Sequence, residues 1–171
     1  MYTEFLYSIF DYYKTLNKQS IIFEIIFPLL LGGLIFYLLY FRGDLTHVSD
    51  FRDNVLTLLG VLVGFSITII TILTTGTSNN LNEIKQRPTS KKLGTKLLSL
   101  FDVLLINFTY SVVLEILLII VHLIYPFILS NYEVNQCVKI VVFSITFATV
   151  IHVLLLTIRN MTDFYLVLIK K

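Results

Sequence analysis

Long apolar stretches alternate with short polar ones along the whole chain. Four of the apolar stretches, residues 21–41, 55–75, 97–124 and 138–158, run for about 20 residues or more. A helix rising about 1.5 Å per residue crosses the ~30 Å hydrocarbon core of a bilayer in that length. The pattern therefore predicts an all-α fold, an integral membrane four-helix transmembrane bundle occupying residues 21–158. Ahead of it, Tyr2, Phe5, Leu6, Ile9, Tyr13 and Leu16 recur at helical spacing, with Glu4, Asp11 and Lys14 on the other side. Residues 1–20 thus predict a short amphipathic helix, lying at the headgroup boundary or packed beneath the bundle. A polar loop is expected at 76–96 and a tail at 159–171. The apolar stretch 161–169 either prolongs the fourth helix or lies on the membrane surface.

Two prolines bear on the spans. Pro28, close to Gly32 and Gly33, predicts a kink or a close helix approach in the first span. Pro126 is the expected stop of the third.

Composition removes the soluble alternative. The chain is 56% hydrophobic with mean hydropathy +0.84, and 14% of its residues are charged. Soluble domains carry about 25% charged residues. The first apolar run is too long for a signal-peptide core and follows a segment containing Glu4 and Asp11, so it reads as a retained span. A single cysteine, Cys137, excludes an intrachain disulfide and a multi-cysteine metal site.

The placement of charge predicts orientation. With the N-terminus inside, Lys14, Lys18, Lys85, Arg87, Lys91, Lys92, Lys96, Arg159, Lys170 and Lys171 fall on the inner side. Arg42, Arg52 and Lys139 fall outside, with Asp44, Asp50, Asp53 and Glu133. Cytoplasmic loops are enriched in Lys and Arg. Both termini and the 76–96 loop are therefore expected on the cytoplasmic side of the membrane.

Polar residues inside the spans need a reason. In the second span Gly60, Gly64, Thr68 and Thr71 lie on one stripe, continued by Thr57 and Thr75. Small residues let helix backbones approach in lipid, so this stripe is expected to be the main helix–helix seam, within the chain or in a symmetric oligomer. On the third span Asn107, Ser111, Glu115 and His122 fall within about 80° of arc. An ionisable group in hydrocarbon costs about 2.5–3.5 kcal/mol on insertion scales, which makes Glu115 either a functional group or a buried hydrogen-bonding one. His152 in the fourth span matches Thr68 and Asn107 in depth, and a lateral hydrogen-bonded layer of the three is expected. Glu24, Asp102 and Arg159 fall near the inner ends of their spans, where pairing among them is the economical arrangement.

The loop cations Lys85, Arg87, Lys91, Lys92 and Lys96 offer a contact surface for an acidic partner protein or anionic lipid. No aromatic residue lies between Gly76 and Lys96, which argues against stacking of single-stranded nucleic acid and against direct nucleic-acid binding. No HExxH, GxSxG, CxxC or phosphate-cradling glycine loop occurs. Neither enzymatic activity, a cofactor nor a metal site is expected.

The segment LLGVLVGFSITIITIL, followed by a polar basic loop and two further spans, resembles a group of small four-span membrane proteins from bacterial anti-phage defence operons. In that layout the chain is similar to the membrane subunits of the Kiwa system, the KwaA family. The resemblance covers the four-span layout and transfers no functional residue. It implies an inner-membrane homo-oligomer that senses infection and works with a cytosolic, nucleic-acid-binding partner. On that basis the expected role is a membrane-embedded sensor or scaffold subunit that docks a cytosolic protein through the basic loop and tail. The alternative is a homo-oligomeric ion channel lined by the polar face of the third span.

Overall fold

The computed structural model describes residues 4–42, 48–131 and 135–169. The expectations for Tyr2, Asp44, Glu133, Lys170 and Lys171 lie outside the described residues. In chain order the elements are α1 (Glu4–Thr15), α2 (Lys18–Arg42), α3 (Val48–Thr75) and α4 (Asn79–Gln86). A hairpin of β1 (Pro88–Leu93) and β2 (Lys96–Ser99) follows, then α5 (Leu100–Asn131) and α6 (Gln136–Ile169). Four of these, α2, α3, α5 and α6, contain spans long and apolar enough to cross a membrane. The chain is an all-α, multi-pass membrane protein with lipid-facing helices.

α3 packs on α5, α5 on α6, and α6 on α2, giving the lateral order α3–α5–α6–α2. The two central spans are 44% buried within the protein, against 17% and 22% for α2 and α3, so the outer pair presents most of the lipid-facing surface. Leu29, Leu30, Leu34 and Phe41 on α2 accordingly point outward. Two apolar cores stack along the bundle. Val55, Leu59, Leu118, Val150 and Val153 fill the half away from the hairpin. Ile69, Leu73, Leu104, Phe108 and Val167 fill the other half, together with Leu81 and Ile84 of α4.

The segment expected as a loop is folded. Ser78 caps α4 by accepting a hydrogen bond from the Leu81 amide at 3.3 Å, and Leu81 and Ile84 are buried. Gly94, at φ 61°, makes the tight turn between the paired Leu93 and Lys96, a conformation that glycine adopts without steric penalty. Leu98 is buried, and Thr89 Oγ1 donates to the Leu98 carbonyl at 2.8 Å.

Both ends of the third helix differ from the sequence pattern, while the tail and α1 each take one of the two arrangements expected for them. Residues 97–99 belong to β2, so the third span starts at Leu100. The cause is a capping box: Ser99 N–H donates to Asp102 Oδ2 at 3.0 Å, and Asp102 N–H to Ser99 Oγ at 3.1 Å. Pro126 does not end that span; α5 runs on to Asn131. Helix is the state that keeps backbone groups bonded in lipid, and proline is tolerated there when neighbours satisfy the freed carbonyl. α6 continues from the fourth span through the tail to Ile169. α1 packs on α5 and β1 and buries Tyr12 and Thr15, so it lies against its own bundle.

The small-residue stripe of α3 is not a seam within the chain. Gly60, Gly64, Thr68 and Thr71 are all exposed, and α3 buries Val55, Leu59, Ser66, Ile69 and Leu73 instead. A side chain built on Gly60 or Gly64 meets open space. The Thr68 and Thr71 hydroxyls donate to their own helix, to the Gly64 and Ile67 carbonyls at 2.8 and 2.9 Å. The close intrachain approach occurs at Gly32 of α2, where a Cβ would lie 2.8 Å from Ala148 Cβ and 2.9 Å from the Ser144 carbonyl of α6.

Candidate functional site at the hairpin end of the bundle

Pro28 sets the geometry of the site. Lacking an N–H, it cannot bond to the carbonyl four residues back, that of Glu24. The helix responds with a π turn over Ile22–Ile26, and the freed carbonyl is taken by His152 Nδ1 from α6. A carbonyl only accepts, so Nδ1 carries the hydrogen. In a neutral ring Nε2 then accepts from the Tyr110 hydroxyl, 3.0 Å away on α5.

The Glu24 side chain is equally engaged. Its buried carboxylate accepts from the Tyr12 hydroxyl of α1 and forms an ion pair with Arg159 of α6. Tyr12 lies flat on Tyr110, with ring centroids 3.7 Å apart and planes 5° apart. Burial, reinforced by the Glu24 carboxylate, pushes the Tyr12 phenol well above its usual range. One cluster thus joins α1, α2, α5 and α6.

Beside it opens a cavity of about 470 Å³, bounded by the start of α2, by α4 and β1, and by α5 and α6. Arg87, Lys91 and Arg159 line it with Glu83, Asp163 and Asn107. Burial, and secondarily the Arg159 guanidinium, hold the Lys91 ammonium below the usual lysine range against the opposing pull of Asp163 and Glu24.

The structure divides the residues singled out in the sequence. Of the loop cations, Arg87 and Lys91 turn to the cavity. Lys92 is exposed, Lys85 sits 5.3 Å from the centre of the Phe101 ring, and Lys96 pairs with Asp102 at 3.4 Å. Asp102 therefore stands apart from the Glu24–Arg159 pair. Asn107, Ser111, Glu115 and His122 are all buried inside the protein. Glu115, 0% exposed, accepts from Ser111 Oγ at 2.8 Å and lies 3.5 Å from Ser66 Oγ of α3. His122 Nδ1 bonds its own helix at the Leu118 carbonyl, 2.8 Å away. The layer of Thr68, Asn107 and His152 does not form, because Thr68 is exposed and His152 serves Glu24 and Tyr110.

Tyr12, Tyr110 and Asn160 were missed in the sequence. Tyr12 had a signal, since Ile9, Tyr12 and Leu16 share one helical face and pack in a single cluster. Asn160, fully buried with neither amide atom bonded, had the signal of a lone amide in an apolar helix. No protein-family model, curated protein or solved structure matches the chain.

Proposed function

We propose that this chain is a membrane-embedded sensor or scaffold subunit of a bacterial anti-phage defence complex. In this reading it lies in the inner membrane with both termini and the hairpin in the cytoplasm, as its Lys and Arg distribution favours. The observation that carries the reading is that residues 76–96 form a built platform. α4 is anchored through Leu81 and Ile84, while Lys92 and Lys96 at the hairpin face solvent. A rigid basic face on a chain with little mass outside the membrane suits docking of an acidic surface on a cytosolic protein. The layout resemblance to Kiwa-type membrane subunits supports the defence setting.

Self-association belongs to the same proposal. The exposed Gly60, Gly64, Thr68 and Thr71 stripe on an outer helix is a surface on which a second copy can pack backbone to backbone. A channel lined by Asn107, Ser111 and Glu115 is less well supported, because those groups are enclosed within one protomer.

Photocrosslinking from position 95, exposed in the hairpin turn between Lys92 and Lys96, in native membranes tests the docking idea. A stoichiometric cytosolic protein crosslinked from there, and lost when Lys92 and Lys96 are both changed to Glu, is the expected result. Recovery of the chain alone would remove the scaffold role.

A further inference from the structure

The cavity at the hairpin end has properties that specify a ligand. Its volume of about 470 Å³ lies within the roughly 300–1,000 Å³ typical of small-molecule sites. Its wall carries both signs of charge: Arg87, Lys91 and Arg159 against Glu83 and Asp163, with Glu24 paired to Arg159. Because Glu24 neutralises Arg159, Arg87 and Lys91 remain against Glu83 and Asp163, a balance that suits a ligand carrying one charge of each sign better than a simple anion or cation.

The unpartnered polar atoms make the same demand. Arg159 Nε is a buried donor, and Asn107 Oδ1 a buried acceptor, without a hydrogen-bond partner. Asn107 is 2% exposed. A ligand that accepts at one and donates at the other satisfies both. Among the described residues no lining side chain is aromatic, and the apolar part of the wall is aliphatic, with Leu100, Val103 and Leu166. A nucleobase therefore has no ring to stack on.

We infer that this cavity binds a zwitterionic phosphoamine: a phosphate joined by a short chain to a primary ammonium, the chemistry of a phosphoethanolamine headgroup. The phosphate meets Arg87, Lys91 and Arg159 Nε. The ammonium meets Glu83, Asp163 and the Asn107 carbonyl. The state of Lys91 supports this, since an anion beside its ammonium offsets the desolvation and the Arg159 repulsion that now disfavour its charge. The cavity lies where α5 and α6 meet the hairpin, so the ligand reaches it as a lipid headgroup or as a free phosphoamine. The inference goes beyond the docking role and holds with or without a cytosolic partner.

The test uses the full chain in nanodiscs of phosphatidylcholine alone, or doped with phosphatidylethanolamine or phosphatidylglycerol. Thermal unfolding and native mass spectrometry are read in each. Phosphatidylethanolamine is expected to raise Tm and to stay bound, because the trimethylated amine has no N–H to donate and the glycerol headgroup no cation. Arg87→Ala with Lys91→Ala should weaken retention at least about tenfold, as loss of charge-assisted hydrogen bonds does; Lys92→Ala should not. Soluble phosphoethanolamine added to phosphatidylcholine discs separates the sources. A saturable Tm rise identifies a free ligand, and a rise from the lipid alone identifies a headgroup. Equal retention of all three lipids with no effect of the soluble ligand would overturn the site, as would preference for phosphatidylglycerol or full retention by the double variant. The lipid comparison needs no variant, so a misfolded substitution cannot blunt it.

Discussion

The ring of His152 donates a hydrogen bond to the main-chain carbonyl of Glu24, the carbonyl that Pro28 leaves without its helical donor. A helix defect in the first span and a histidine in the fourth are thus two halves of one contact. This ties the outermost helix to the bundle where small-residue packing at Gly32 ends.

That relationship predicts a coupling. His152→Ala should destabilise the detergent-solubilised chain by about 2 kcal/mol, the penalty for an unsatisfied buried carbonyl. Pro28→Ala restores the N–H, and in that background the same substitution should lose less than about 1 kcal/mol. A double-mutant cycle from thermal or denaturant unfolding measures the difference. Strict additivity would show that the carbonyl does not depend on the histidine.

The carboxylate of Glu24 gives a second test. Glu24→Gln leaves Arg159 with an uncompensated, mostly buried charge and should lower stability by about 3 kcal/mol. Adding Arg159→Met should recover a substantial part of that loss. If the double variant is no more stable than Glu24→Gln alone, the pair is not the source of the effect.

Tyr12 makes the clasp sensitive to alkali. The fold holds its phenol protonated, so its contribution is whole below the ordinary tyrosine pKa and falls as pH rises above it. Tyr12→Phe lacks both the hydrogen bond and the titration. The stability gap between the two chains should therefore be constant to about pH 9, then narrow above pH 10 by about 1.4 kcal/mol per unit. A gap that does not change with pH between 8 and 12 would contradict the buried, carboxylate-bonded phenol.

The glycines should separate by position. Gly32→Val must push α2 from Ala148 and Ser144 and should cost about 1–3 kcal/mol. Gly33→Ala meets nothing within 4 Å and should stay within about 0.5 kcal/mol of the parent. Gly64→Leu, also in open space, should leave monomer stability intact while reducing any oligomer seen by native mass spectrometry. An oligomer unchanged by Gly64→Leu would exclude the stripe as its interface.

The spans were legible because lipid makes hydropathy and length nearly sufficient, and the Glu24–Arg159 pair followed from two charges at similar depth. The partners of the other polar groups were not legible. A glycine–threonine stripe states that a backbone can be approached, without saying by which neighbour, and the approach is made at Gly32 instead. Local chemistry moved the edges: the Ser99–Asp102 box delays α5, and Pro126 is carried inside it. The hairpin was hidden because a six-residue strand such as PTSKKL has little apolar alternation to announce it. Tyr12 and Tyr110 met only through the fold-back of α1, which no local pattern encodes.

The proposed docking role requires an orientation in which the basic hairpin lies on the cytoplasmic face and the start of α6 on the other. Cys137, exposed at the start of α6, is a native probe for that far side. Lys92→Cys in a Cys137→Ser background probes the hairpin. A membrane-impermeant maleimide applied to intact cells should label Cys137 and leave position 92 unlabelled until the membrane is opened. Labelling of position 92 in intact cells, with Cys137 protected, would contradict the orientation and the docking role together.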